Sequence, residues 1–355
     1  MGNAVERGKL VGRVLAGSWR EPPGSLELSP AQLRTVTPIL LATGSAGLGW
    51  WRIRNTELGQ CSAGLQLRDA FRLHALQAAL YESQIREATS LLGARGIETI
   101  LVKGWAMARL YPAPGLRPYG DIDLLVRKAD HETAQALLTG PSAPKPLYVD
   151  LHSSFSFAED RSFDALYGRC RSARLKGLEV RVLSAEDHLR LLCLHLLKHG
   201  LSRPPWLCDI GLALESCPPE FDWDLCFHGN AQRADWVACV INLAHEILGA
   251  RAPESSAVAR RSNNLPSWLV PAVLQEWGLG RTPDTRTAMS YLRDPRGMIE
   301  GIRARWPNAI LATVLLRRDF DDRPRVPLRI GAFAQKSMVL FRDLLSSTTP
   351  NRPRG

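Results

Sequence analysis

Glu98-Thr99-Ile100-Leu101-Val102-Lys103-Gly104, then Gly120-Asp121-Ile122-Asp123-Leu124-Leu125-Val126, is the stretch that decides the fold. The first segment is a short apolar, β-branched run ended by a Lys-Gly turn, which predicts a strand over 98–102. Trp105 to Leu110 reads as a helical turn closed by Pro112, and 113–120 as a Pro/Gly loop. Asp121 to Val126 predicts a second strand. Residues i and i+2 of a strand share a face, so Asp121 and Asp123 stand side by side while Ile122 and Leu124 point into a core. Two carboxylates this close repel unless a cation lies between them.

A third acid follows at Asp150, in Tyr148-Val149-Asp150-Leu151-His152, on a strand predicted over 146–152. Oxygen ligands of this kind suit Mg²⁺, which is often held by one or two carboxylates plus substrate phosphates. A third carboxylate on a neighbouring strand would complete a two-metal site. Gly104 lets backbone approach a phosphate at the start of a helix. Lys103 and Arg117 add positive charge for β- and γ-phosphates.

These residues and their order resemble the nucleotidyltransferase core of the DNA polymerase beta-like superfamily. More narrowly, 101–107, Tyr111-Pro112, Arg117, 120–126 and 149–152 resemble a bacterial family of uncharacterised nucleotidyltransferases. Leu183 to Asp187, His195 to His199 and Trp206 to Asp209 fit the same family, so the resemblance spans about residues 65–215. It implies metal-dependent transfer of a nucleoside monophosphate from a nucleoside triphosphate to a hydroxyl or phosphate of a small molecule or biosynthetic peptide. Asp121 and Asp123 would hold two Mg²⁺ ions, with Mn²⁺ as the substitute. Asp150 would bind the catalytic metal and favour deprotonation of the acceptor. Lys103, Gly104, Arg117 and Gly120 would face the phosphates, and His152 or Asp209 a phosphate or the acceptor. The superfamily's phosphate turn carries Gly-Ser; here it is Lys103-Gly104-Trp105. Either Lys103 takes over the hydroxyl contact, or the donor is not an ordinary nucleoside triphosphate.

Outward from this core, helical periodicity covers 65–93, with Leu67, Phe71, Leu73, Leu76, Leu80, Ile85, Ala88, Leu91 and Leu92 as its apolar positions. Ser29 and Pro30 open a helix to Ala42, with Pro38 inside it. Gly44 to Gly49 reads as a break, and Trp50 and Trp51 as core anchors beside Arg52 and Arg54. A fourth strand is predicted over 178–183. Ser184 then caps a helix to His199, followed by helices over 206–214, 223–232, 236–248, 266–277, 285–292, 296–316 and 330–345. The expected architecture is α+β: a flexible arm (1–28), an N-terminal helical region (29–95), a small mixed-sheet α/β nucleotidyltransferase core (96–183), a helical C-terminal domain (184–347) and a disordered tail (348–355).

The 355 residues carry a formal net charge of +10, which suits an anionic partner. Nucleic acid is the weaker expectation, because the excess arginine is spread along the chain. A basic binding module with a catalytically reduced nucleotidyltransferase fold is the alternative function. The seven cysteines form no Cys-x-x-Cys pair, which argues against a zinc knuckle and for a reducing cytoplasm. No apolar run approaches a membrane span, and no Walker-type loop supports a kinase reading. His195 and His199, four apart on a helix, lack a His-Glu-x-x-His pattern and read as packing residues. Asp209, on an apolar helix, needs a partner, and Lys198 or a nearby histidine is the expected one. Asp319, Asp321 and Asp322 read as a solvated turn.

Overall fold

The computed structural model describes residues 2–140, 147–154, 161–251, 261, 265–280 and 306–347. The helix expected over 285–292, the first part of that over 296–316, and the tail 348–355 lie outside the described residues.

Among the described residues, five strands form one mixed sheet: β1 (Ile100–Val102), β2 (Ile122–Leu125), β3 (Val149–His152), β4 (Arg171–Leu175) and β5 (Leu178–Val182), in the order β3-β2-β1-β5-β4. β1 runs antiparallel to β2 and parallel to β5, while β2 and β3 are parallel. The fourth strand expected from the sequence is β5. Its hairpin partner β4 (Arg-Ser-Ala-Arg-Leu) was not expected, because only Ala173 and Leu175 of that polar run are buried.

Both faces of the sheet are covered, so β1 and β2 read as continuous apolar runs. Leu101, Ile122 and Leu124 join one buried cluster, and Ile100, Val102 and Leu125 another. Asp123 falls in the row of Leu125, the one acid in a fully buried strand. The helices over this sheet include α4 (Ser62–Gly93), α5 (Gly104–Ala108), α6 (His131–Thr139) and α7 (Phe163–Arg169).

The remaining described α-helices lie outside the sheet layer, and most of them share a second core. They are α1 (Gly2–Leu15), α2 (Pro30–Ala42), α3 (Ala46–Ile53), α8 (Ala185–Lys198), α9 (Pro204–Glu215), α10 (Trp223–Phe227), α11 (Ala231–Leu248), α12 (Leu269–Leu279), α13 (Ala309–Leu315) and α14 (Val326–Ser347). Buried residues of the N-terminal helices, among them Val11, Leu33 and Leu48, and of the C-terminal helices, among them Leu189, Val237 and Ile310, share one apolar cluster, so N-terminal and C-terminal helices pack as one body.

Three expectations are corrected here. The first half of the expected arm (1–28) is α1 (Gly2–Leu15), whose Val11, Val14 and Leu15 are wholly buried. Its glycine serves helix crossing: a Cβ on Gly8 would sit 1.8 Å from the Leu274 carbonyl oxygen, and one on Gly278 1.7 Å from that of Ala4. The break at 44–49 is largely α3, where a Cβ on Gly47 would lie 2.4 Å from the Gly115 carbonyl oxygen. Both times a close-contact glycine looked like a breaker. On α4, Leu73, Leu76 and Leu80 are exposed. The helix begins on the helical core through Ala63 and Leu67 and ends on the sheet cluster through Ala78, Ile85, Ala88 and Leu92. Its buried face changes between the two, leaving those leucines outside both.

Other expectations meet the structure more directly. Ser29 and Gln32 form a reciprocal capping box, and α2 runs through Pro38 unbroken. Trp50 and Trp51 pack half-buried against the helical core. Asn230 caps α11, so the helix expected to reach 232 ends at Phe227. Asn308 caps α13, which sets the start of the described helix within 296–316. The acidic turn is tied rather than merely solvated: Asp322 Oδ1 accepts from the Ser267 backbone N–H at 2.8 Å, and Asp319 from Gln232 at 2.7 Å.

Candidate active site

The register of β2 and β3 sets Asp123 directly beside Asp150. His152, two residues further along β3, shares the face of Asp150. Its Nε2 lies 2.9 Å from Asp123 Oδ1 and 3.2 Å from Asp150 Oδ2. Nε2 therefore carries the proton and donates to the carboxylates. From the other side, β1 ends at Val102, the register partner of Asp123. The next residue, Lys103, places its ammonium 2.5 Å from the same Asp123 oxygen.

Lys103 reaches this position from an unusual backbone, with φ 53° and ψ −133°. A lysine in this region is strained, and such strain persists only where the surroundings impose it. Gly104 follows at φ 20°, and a Cβ there would meet the Asp121 carbonyl oxygen at 3.4 Å. That is ordinary contact, so it is the positive φ that favours glycine at this turn. The helix it opens, α5, spans only Gly104–Ala108.

Asp123 is almost wholly buried, Asp150 exposed and His152 half-buried. Ligand atoms of these three lie within 4.8 Å of one another. Two carboxylates and an imidazole are a fitting donor set for a divalent cation. For His152 to be a ligand, Nε2 must give up its proton. Burial pushes the Asp123 carboxyl up, but the His152 hydrogen bond and the Lys103 charge outweigh it and hold the group below the ordinary carboxylate range. Asp121 precedes β2, is exposed, and lies outside the three-residue cluster. Partial desolvation and the neighbouring Asp123 charge raise its pKa.

These groups lie along a cleft of about 950 Å³ between the sheet and α8–α9. Of the residues expected from sequence, Lys103, Gly104, Arg117, Gly120, Asp121, Asp123, Asp150, His152 and Asp209 all line it. The partner of Asp209 differs from the expected one. Asp209 is wholly buried, and its partner is Arg117 rather than Lys198 or a histidine. The guanidinium donates to Asp209 through Nε at 3.0 Å and Nη2 at 2.9 Å, and through Nη1 to the Pro118 carbonyl at 3.1 Å. Tyr111 Oη adds a 2.8 Å hydrogen bond to the same carboxylate. Arg117 thus ties the 111–121 loop to α9 while lining the cleft.

Lys198, Arg203 and Trp206 also line the cleft and were missed as site residues. The signal was present: two cations bracket the short turn between α8 and α9, on the helix face carrying His195 and His199. The three rings of His195, His199 and Trp206 form a cluster with centroids 4.6, 4.7 and 5.2 Å apart, and the Arg203 guanidinium lies 5.1 Å from the Trp206 ring. Burial, helped by the Lys103 charge, lowers His195 to about 2. Burial and Lys198 lower His199 to about 4. Both rings are neutral near pH 7.

A search of curated proteins gives no match. The chain is similar to a solved structure, an antigenic nucleotidyltransferase-like protein from Paracoccidioides brasiliensis, at 18% identity and a TM-score of 0.35, over 54% of this chain and 97% of that one. The family model described as "Uncharacterised nucleotidyltransferase" matches residues 42–142 and 140–249. That is more than half of the 355 residues, and the chain belongs to this nucleotidyltransferase family.

Proposed function

We propose that this chain is a metal-dependent nucleotidyltransferase, moving a nucleoside monophosphate from a nucleoside triphosphate to a hydroxyl or phosphate of a small molecule or biosynthetic peptide. The observation that carries the reading is the Asp123–Asp150 pair, set in register on parallel strands within reach of His152, in a cleft also lined by Lys103, Lys198 and Arg203. Acids alone would repel a triphosphate and cations alone would bind it without acting on it. Their mixture in one cleft suits a triphosphate that arrives with a divalent cation.

Asp123, Asp150 and His152 would hold one ion, with Asp121 and Asp123 offering a second position. Mg²⁺ or Mn²⁺ would supply charge neutralisation at the phosphates and polarise the attacking hydroxyl. The chain's own residues do the rest. Lys103, Lys198 and Arg203 bind and orient the phosphates. Gly104 and Gly120 allow backbone to approach them, with Gly120 bare of neighbours where a Cβ would stand. Asp150, the exposed acid, is placed to accept the acceptor's proton. Burial and the Asp209 anchor keep Arg117 fixed while its charge contributes to the same field.

The seven cysteines are all free, which supports a reducing, cytoplasmic setting. Among the described residues no helix is long and apolar enough to cross a membrane.

Incubation with Mg²⁺ or Mn²⁺, each labelled nucleoside triphosphate and candidate acceptors, read by mass, tests the reaction. The expected product is an acceptor heavier by one nucleoside monophosphate, absent with Asp123→Asn. Product formed equally well by the Asp121→Asn/Asp123→Asn double variant would refute the reading.

A further inference from the structure

Helices α8 and α9 use their apolar faces to fill the helical core: Leu196, Leu197, Leu207 and Cys208 are wholly or nearly buried there. Their other face carries His195, His199 and Trp206 and lines the cleft. A cluster serving only packing would sit inside with the leucines. This one is partly open, rich in π surface, and flanked by Lys198 and Arg203. Desolvation at His195, and partial desolvation with the Lys198 and Arg203 charges at the more exposed His199, keep both imidazoles uncharged, so they offer a phosphate little. To a flat heteroaromatic ring they offer, together with Trp206, a stacking surface. The wall lines the same cleft as the carboxylates of Asp123 and Asp150.

We infer that the His195–His199–Trp206 wall is the seat of the nucleobase, stacking a neutral heteroaromatic ring while the phosphates run past Lys198 and Arg203 toward Asp123 and Asp150. This rests on the triphosphate reading proposed above and adds to it the residues that hold the base. Stacking is tolerant of sequence because every base has a π face. The wall therefore supplies affinity for any base before it supplies choice among them.

The test separates base from phosphate. Binding of ATP, GTP, CTP, UTP and inorganic tripolyphosphate, each with Mg²⁺, is measured by calorimetry on the full chain, as wild type, Trp206→Ala and His199→Ala. At least one nucleotide is expected to bind wild type about tenfold or more tighter than tripolyphosphate, the size of one aromatic–base stack. Trp206→Ala should bring that nucleotide to the tripolyphosphate level, leave tripolyphosphate affinity unchanged, and so show that the cleft is still folded. His199→Ala should remove part of the advantage. If Trp206→Ala loses tripolyphosphate as well, His199→Ala decides, because its ring is exposed and its loss leaves the core intact. Nucleotide advantage retained in both variants overturns the base seat, as does a wild type that binds nucleotides and tripolyphosphate alike. Both of those outcomes leave the proposed phosphate site standing. A wild type that binds neither overturns the proposed function along with the seat.

Discussion

The Lys103 ammonium lies 2.5 Å from Asp123 Oδ1, the same carboxylate oxygen that His152 Nε2 reaches at 2.9 Å. Two internal cation or proton donors thus stand where a divalent ion would be held. An entering ion competes with Lys103, whereas an entering triphosphate gives Lys103 another anion to pair with. Lys103→Ala should therefore bind Mn²⁺ alone roughly tenfold tighter, about 1.4 kcal/mol, and the triphosphate more weakly. Titration of Mn²⁺ by electron paramagnetic resonance reads the first effect. Lys198→Ala is the control: an equal gain there would show a diffuse field rather than occupation of the Asp123 oxygen.

The Arg117–Asp209 pair yields a prediction about stability. Asp209 is wholly buried, and Arg117 nearly so. Removing one partner of a buried pair leaves a desolvated charge and costs about 3–5 kcal/mol. Asp209→Ala and Arg117→Ala should each lower the chemical-denaturation midpoint strongly, without any ligand present. Unchanged stability in Arg117→Ala would return that arginine to the role of a free phosphate ligand.

His188 gives a pH dependence. It is buried on α8, and burial, with Arg109 and Arg117 nearby, lowers its pKa from 6.5 to about 3. The folded protein keeps it neutral while the unfolded chain protonates it. Stability from this group is complete above the unfolded value and is lost as pH falls from 6.5 toward about 3. The loss approaches about 1.4 kcal/mol per pH unit within that window. Comparing wild type with His188→Leu by denaturation at pH 7 and pH 5 should show a shallower fall for the variant. Parallel curves would contradict it.

The α1–α12 crossing makes the N-terminal helix part of the folded body. Gly8→Val would drive a side chain into the Leu274 backbone. A cost on the order of 1–3 kcal/mol or more is expected for such overpacking. Thermal unfolding would read it as a lower midpoint, and no shift would mean that α1 is dispensable.

The sheet and its acids were legible because their signals are local. Strand alternation, the Lys103-Gly104 turn and the Asp-Ile-Asp spacing need only neighbours in sequence. What failed depended on distant partners. Gly8 and Gly47 read as flexible, because only the opposing backbones of Leu274 and Gly115 reveal close packing. The exposed Leu76 fits the helical period, yet α4 leaves one core for another at that point. The partner of Asp209 is Arg117, 92 residues away, which no local pattern names. His152 was paired with Asp150 by strand spacing; its hydrogen bond to Asp123 required the β2–β3 register. The α8–α9 wall of the cleft, with Lys198, Arg203 and Trp206, comes from helices far along the chain.

The central claim is that the Asp123–Asp150 pair holds a triphosphate through a divalent cation. The most direct measurement is equilibrium binding of nucleoside triphosphates to wild type and Asp123→Asn, with Mg²⁺, with Mn²⁺ and with excess chelator. Binding to wild type should need the cation and be lost or weakened at least tenfold (about 1.4 kcal/mol) in Asp123→Asn. Binding indifferent to both the cation and the substitution would contradict it.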